Sequence, residues 1–598
     1  MRELCALLGG NGPFQQERLH HLQRGLRTPA EARVTHHTET NGDHWILAGH
    51  QYQASRLSPE TCIGSVGSVT VLADMDAPDQ PRLRRKLGEQ NLSGAALVAA
   101  GFTRLGAKLA AELRGSYSLI IWDRHHRRLT LALDPLGAKT LYYHALGENS
   151  WAIATHARTL RHLAKDRPPE PRAALMWCLN EYDTRFSMWQ DIHGLRPGEW
   201  LTFNGAGEPD GKRRGIHRDH TGPVTLDRLW STLQTCVAEA TDDATRTHAM
   251  LSGGLDSSSV AAAFTHHHGR PPSCHAFAFE TLHDCAEQAF SQKSAEELGA
   301  PLHLYNAEQF PAFYRQDGIQ PPENPFQSND PLEYAVFQKI NKLGGQTLLT
   351  GHGGDTLFTN PPQSTLLRFP WRANAAASRN LFTKAKRAWQ VWLAHLPPDG
   401  LQRAKARRRG LWKRHPAWLR QTALQTADPW SLFDLIGLPT GLNPLTHYLH
   451  TRMTRDAAGV RRAIHWYNRA ALETGIHIAH PLFDERLADL ILCLSREAWH
   501  KHPEPKGLQR DLLRSFTGLG VCERLEKPTL TAYYHAGIKA EQAFLTEACN
   551  ALDAPWFDQK KFCHEVETFC AGTPPYPTAD FLSAAWYLVW LSQDFTSN

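Results

Sequence analysis

The 598 residues predict an α/β chain of two domains. Three observations carry that expectation. Residues 1 to about 205 hold short alternating or apolar runs parted by Gly, Pro and Asp turns, the texture of a β-rich unit. Beyond about residue 223 strand patterns alternate with helical ones, which implies βαβ units and a parallel sheet. After about residue 358 the periodicity is mostly helical to the end. The Gly/Pro-rich stretch 204–222 separates these textures, so the chain divides into a domain at 1–205, a linker at 206–222 and a domain at 223–598.

In the first domain, strands are expected at 44–47, 68–72, 116–122, 129–133, 140–144 and 151–154, with a helix at 94–113. In the second, a helix at 226–239 precedes an apolar run at 247–251, a Gly loop, and a helix at 257–268 closed by Gly269. Strands at 274–279, 302–305 and 347–349 then alternate with helices at 287–298 and 332–343. Composition agrees with folded domains: 41% hydrophobic and 21% charged residues exclude a disordered or fibrous chain. No window reaches the roughly 20 apolar residues that span a bilayer, and the longest apolar stretch, 581–591, is broken by Ser583. The N-terminal residues lack the apolar core and cleavage site of a secretory signal. Eleven cysteines, scattered and without a CxxC pair, read as reduced thiols of a cytoplasmic protein. The His clusters lack the spacing of metal ligands. Charge is uneven: residues 366–420 hold fourteen Lys/Arg against the single acid Asp399, interleaved with five Trp. A solvated helical face over core Trp, a peptide groove, and a nucleic-acid face all fit that segment, the last least well.

The segment that carries chemistry is Leu251-Ser252-Gly253-Gly254-Leu255-Asp256-Ser257-Ser258, placed after a strand and opening a helix. Two glycines let the backbone turn tightly and aim N–H groups at an anion, the serines add hydroxyl donors, and the helix N-terminus adds partial positive charge. A simple turn would serve such residues too. Asp256 argues otherwise, because a carboxylate inside a phosphate cradle needs a cation between, and Mg²⁺ fits. A second segment, Gly351-His352-Gly353-Gly354-Asp355, also follows an apolar strand and ends in an acid. In a parallel sheet both loops emerge at the carboxyl edge, where Asp256 and Asp355 can share one Mg²⁺.

Together these loops resemble the pyrophosphatase loop and partner loop of asparagine synthetase-like amide ligases. Residues 115–143 and 195–198 resemble the end of that family's glutaminase-like domain, 479–484 its "RVPFLD" segment, and 506–514 with 525–527 the region of its catalytic Lys. The resemblance implies an N-terminal glutaminase-like (Ntn-type) αββα sandwich and a C-terminal PP-loop ATPase-type parallel sheet with a helical C-terminal half. It implies ATP held by Met250, Ser252, Gly253, Gly254, Leu255, Asp256, Ser257, Ser258, Phe279, Gly351, Gly353 and Gly354, and Mg²⁺ held by Asp256 and Asp355. A substrate carboxylate then attacks the α-phosphorus, and an amine displaces AMP. Lys527 matches the family's Lys and is expected to neutralise charge on the α-phosphate and the tetrahedral intermediate.

The chain departs from the family in ways that narrow its chemistry. Position 2 is Arg2 where a working glutaminase has its nucleophilic Cys, and Cys5 lies three residues too deep. Residues 71–76 replace the glutamine-binding "NGEIYN", and Gly115-Ser116 replaces a Gly-Asp. The first domain is therefore expected to be a retained scaffold. Family members that lost this Cys use an amine of the substrate itself. His352 occupies the position of the residue that deprotonates or orients the amine, and a free imidazole, with a pKa of about 6.5, is a workable base. His465 is its expected partner. The first expectation is a lasso peptide cyclase, with a processed core peptide as substrate, a leader peptidase and a leader-binding protein as candidate partners, and no nucleic acid or membrane. A β-lactam-type synthetase, an ammonia-dependent asparagine synthetase relative, and a non-catalytic scaffold are the alternatives.

Overall fold

A computed structural model describes residues 2–8, 22, 33–39, 45–51, 62–76, 80–147, 150–161, 163, 168–203, 209–216, 220–241, 243–282, 288–313, 324–325, 330–361, 416–420, 444–454, 457–502, 504–525, 530–572 and 579–595. The first domain is two six-stranded sheets packed face to face. One runs Ile192–Gly194, Tyr142–Gly147, Ser150–Ala154, Arg2–Leu8, Trp45–Gln51, Arg33–Glu39. The other runs Asp210–Arg213, Glu199–Phe203, Arg128–Leu133, Tyr117–Asp123, Val69–Met75, Ile63–Val66. Alternation along the strands builds three layers of core from two sheets. Leu4, Leu72, Ile120, Leu131 and Ile153 fill the space between the sheets. Val71, Leu119 and Ile121 face outward against the helix Gly94–Leu105. Cys5, Leu7, Ala152 and Ala154 face outward on the opposite side.

The helices covering that last side come from both ends of the chain. Pro171–Cys178 and Ala579–Phe595 share one buried cluster with it, tied by the indole of Trp177, which donates to the Ser583 carbonyl at 3.0 Å. The long apolar stretch near the C-terminus is therefore a core helix whose Ser583 anchors it. No described helix is long and apolar enough to cross a membrane. The αββα sandwich is thus completed by a helix of the second domain.

The second domain is built on a five-stranded parallel sheet in the order Leu302–Asn306, Ser273–Ala278, Thr247–Met250, Thr347–Leu349, His477–Ala479. The chain starts in the middle and fills one side, then the other. The order of connection reverses between Thr247–Met250 and Thr347–Leu349, and an open α/β sheet forms its ligand crevice at such a switch point. The fifth strand lies within the mostly helical half beyond residue 358 and was not expected there. It is three residues long and begins with a His, so it has no apolar run to betray it.

The expected linker is also corrected. Asp210–Arg213 pairs antiparallel with Glu199–Phe203 as an edge strand of the second sheet, so the first domain extends past residue 205. Just beyond it, Arg214 forks onto Glu485, with Nη1 to Oε1 at 2.8 Å and Nη2 to Oε2 at 3.2 Å, the Glu485 side chain buried and that of Arg214 nearly so. Removing one partner of a buried pair strands the other charge. Arg214→Met is therefore expected to lower stability by about 3 kcal/mol, read as a fall in the thermal unfolding midpoint. An unchanged midpoint would show that the pair does not couple the domains.

Residues 366–420 lie almost wholly outside the described residues. Within 416–420, Trp418 is fully buried and Leu419 bridges to Phe557, as core residues do.

Candidate active site

The two Gly-acid loops leave adjacent strands and touch. The strand Thr247–Met250 runs into Leu251–Gly254, and the helix Leu255–His268 begins at once, with Gly254 at its cap and Asp256 in its first turn. The strand Thr347–Leu349 runs into Thr350–Gly353, followed by the short helix Gly354–Phe358. Small residues make this approach possible. A Cβ on Gly351 would lie 2.6 Å from the Ser257 amide nitrogen, and one on Gly354 would lie 2.1 Å from Asp256 Oδ1. Gly353, at φ +103°, sits in a conformation L side chains rarely adopt, against the backbone of Leu482 and Phe483.

The acids converge. Lys506 Nζ lies 2.8 and 2.6 Å from the two carboxylate oxygens of Asp256 and 2.6 Å from Asp355 Oδ1. Burial pushes the Asp256 carboxyl up, and Asp355 adds to this. Lys506 draws it back, and the net shift is upward. Burial would lower the Lys506 ammonium, yet the two carboxylates hold it above its ordinary value. Lys506 itself has a left-handed backbone, φ 55° and ψ 34°, at the start of the helix Gly507–Phe516. A non-glycine residue held there is a strain that surrounding contacts must maintain. Two hard carboxylates on one cation are also a fitting donor set for Mg²⁺.

The serines of the first loop bond to one another. Ser257 Oγ accepts from the Ser252 amide and meets Ser252 Oγ, both at 3.2 Å. The Ser258 hydroxyl is buried without a hydrogen-bond partner among the described residues. Gln509 donates to Ser259 Oγ at 3.1 Å and steadies this turn from the Lys506 helix. Met250 ends its strand half-buried, and Phe279 follows the neighbouring strand, buried against Tyr533 at 5.7 Å between ring centroids.

Lys527 lies outside the described residues. The segment leading to it is tied to the cradle: Arg524 Nη1 donates to the Gly253 carbonyl at 2.9 Å, its guanidinium over the Phe290 ring. Arg510, buried, donates to the carbonyls of Pro505, Cys522 and Arg524 at 2.7, 2.5 and 2.6 Å. One guanidinium thus braces both the Lys506 turn and the approach to residue 527.

His352 is placed at the rim between the loops, but its chemistry and its partner differ from expectation. Burial lowers its pKa to about 4, against an upward pull from Asp355, so at neutral pH it is an uncharged imidazole and a weak base. The rings beside it are Tyr467 at 5.1 Å and His480 at 5.7 Å. His480 Nδ1 meets Thr350 Oγ1 at 2.7 Å, and burial holds this ring well below the ordinary His pKa. His465, the expected partner, lies at the seam between the domains. Its Nδ1 meets the Tyr182 hydroxyl at 2.8 Å and its Nε2 the Gly137 carbonyl at 2.9 Å. On the helix Ala458–Thr474, residues two apart point to different faces. Tyr467 therefore faces His352, and His465 faces the first domain. Lys506, Arg510, Arg524, Tyr467 and His480 were missed as site residues. The segments holding Lys506 and His480 were singled out by resemblance alone, without a role for either side chain.

The first domain's own candidate nucleophile is sealed. Cys5 is fully buried in a central strand, and burial together with nearby Glu3 pushes its thiol far above its ordinary pKa. Elsewhere in this domain the buried Lys139 pairs with the buried Asp74 at 3.4 Å and the half-exposed Asp76 at 2.6 Å.

The family model described as asparagine synthase matches residues 228–574, and one described as glutamine amidotransferase domain matches 83–213. "Amidase chry2" of Gibberella zeae is 24% identical over 326 residues, 49% of this chain and 47% of that one. "Asparagine synthetase [glutamine-hydrolyzing] 2" of Bacillus subtilis is 21% identical over 581 residues, covering 86% of this chain and 70% of that one. The chain spans under half the length of the two fungal amidases it matches. Among solved structures, glutamine phosphoribosylpyrophosphate amidotransferase from B. subtilis covers 59% of this chain and 92% of that one at 13% identity, with a TM-score of 0.26.

Proposed function

Because the chain belongs to the asparagine synthase family, we propose that it is an ATP-dependent, AMP-forming carbon–nitrogen ligase that closes a macrolactam in a peptide, as a lasso peptide cyclase does. The observation that carries the ligase reading is the meeting of Asp256, Asp355 and Lys506 beside a glycine-serine cradle at the sheet's switch point. Asp256 and Asp355 would hold Mg²⁺, which when bound neutralises polyphosphate charge. Lys506 places an ammonium where the departing pyrophosphate gathers charge, and the cradle N–H groups meet the same oxygens. A side-chain carboxylate of Asp or Glu in the peptide attacks the α-phosphorus and becomes an acyl-adenylate. Lys527 neutralises the α-phosphate. His352, uncharged, accepts a hydrogen bond from the peptide's α-amine and orients it, and attack on the acyl carbon releases AMP.

The peptide reading rests on the amine source. Cys5 has neither the access nor the acidity of a glutaminase nucleophile. Such a domain supplies no ammonia, so the amine comes with the substrate. A leader peptidase and a leader-binding protein are then the partners that deliver it. Incubation with ATP, Mg²⁺ and a leader-free peptide bearing Asp or Glu near position eight is expected to remove one water mass and release AMP. Product formed only from free aspartate and ammonia would instead place the chain with asparagine synthetases.

A further inference from the structure

We propose that Glu333, acting through Tyr467, is a positioning residue of the amine-capture step and receives the proton that the amine sheds. The inference rests on the ligase reading above. Glu333 stands in the first turns of the helix Asp330–Lys342, a segment not otherwise used by the site. It is 4% exposed, and Tyr467 Oη donates to its Oε1 at 2.7 Å. Its Oε2 is buried without a hydrogen-bond partner among the described residues. The Tyr467 ring lies against His352 at 5.1 Å and His480 at 5.7 Å, so the phenol links a sealed carboxyl group to the rim where the amine is to be held.

The surrounding groups leave Glu333 as the base of this cluster. Burial pushes its carboxyl up, the Tyr467 bond draws it back, and it settles at about 7. His352 and His480 lie far lower and hold a proton poorly near neutrality. Of the other titratable groups on the packed elements, Arg469 is occupied by Glu473 at 2.8 Å, and Glu473 also accepts from Tyr334. Tyr305, from the strand Leu302–Asn306, is engaged with His275 at 2.8 Å.

The step balances. As the amine nitrogen bonds to the acyl carbon, the bond from that carbon to the phosphate oxygen breaks, and AMP leaves with the electron pair. The amine's proton passes to Tyr467 Oη while the phenolic proton crosses to Glu333 Oε1. The next turnover returns it to solvent. Matching an acceptor's pKa to the working pH is what makes such a transfer efficient.

The test separates the two half-reactions. ATP–pyrophosphate exchange with the carboxyl-bearing peptide reports adenylation alone, and single-turnover ring closure reports amine capture. In the wild-type protein the closure rate is expected to climb with pH and level off above about 7. Glu333→Gln, which keeps the shape and an acceptor for the phenol, is expected to retain exchange. It should lower closure about a hundredfold and abolish the limb near 7. Tyr467→Phe, which removes the link and little volume, is expected to show the same split. Closure within twofold of wild type in either variant, or a limb near 7 that persists in Glu333→Gln, would overturn the proposal. Absence of exchange in the wild-type protein would overturn the ligase reading itself, a distinct result.

Discussion

Replacing Asp256 by Asn is expected to lower AMP formation about a thousandfold while leaving the fold intact. The substitution keeps size and polarity but removes the charge on which the site converges. Lys506 Nζ contacts both oxygens of this carboxylate, and the Gly354 backbone packs so close to it that no side chain fits at that glycine. An amide there neither balances the ammonium nor serves as a strong ligand for Mg²⁺. Its cost to the helix Leu255–His268 is small, because an acid in a first turn contributes at most about 1 kcal/mol through the helix dipole. Asp355 has the more exposed side chain of the two and touches Lys506 through one oxygen, so Asp355→Asn is expected to lose less. ATP–pyrophosphate exchange measures both. A rate for Asp256→Asn within tenfold of wild type would remove this residue from the polyphosphate site.

Lys506→Met is expected to cut the same exchange about a hundredfold, and to do so more severely at lower pH. Without the ammonium, Asp256 and Asp355 face each other uncompensated, and the strongest pull against the upward push of burial on Asp256 is gone, leaving only the Gln509 hydrogen bond to oppose it. A carboxyl whose pKa is raised further is protonated over a wider range, so the residual rate is expected to rise with pH across that range. Lys506→Arg is not expected to rescue it. A planar fork does not replace a point charge set between two carboxylates from a left-handed backbone position. Equal loss at every pH would show that Lys506 acts on phosphate alone and does not tune Asp256.

The contrast between these two residues shows what the sequence makes legible. The cradle and its partner loop are local chemistry: glycines, hydroxyls and an acid within eight residues, each after a strand, and the alternation of strands and helices places both loops on one sheet edge. Lys506 meets Asp256 across 250 residues of chain, and no local pattern marks it. His480 rather than His465 stands beside His352, because periodicity gives spacing but not direction. Whether a His on the helix Ala458–Thr474 faces the rim or the first domain depends on how Gly137 and Tyr182 seat that helix. The strands Arg2–Leu8 and His477–Ala479 escaped for related reasons. The one forms a core only by pairing with Trp45–Gln51 and Ser150–Ala154, and the other gains its place from Thr347–Leu349. The turn within residues 115–143 is local chemistry too, because Asp134 organises it by accepting from the amides of Leu136, Ala138 and Lys139 at 3.1 Å each.

In the proposed reaction a carboxylate becomes bonded to the α-phosphorus of ATP in the crevice between the two loops. Isotope transfer tests it most directly. A peptide whose acceptor Asp or Glu side chain carries two ¹⁸O atoms is incubated with ATP, Mg²⁺ and the enzyme, and the phosphorus products are resolved by mass. One ¹⁸O in AMP for each ring closed, and none in pyrophosphate, is the expected result. Label appearing in inorganic phosphate, with ADP as the nucleotide product, would contradict it.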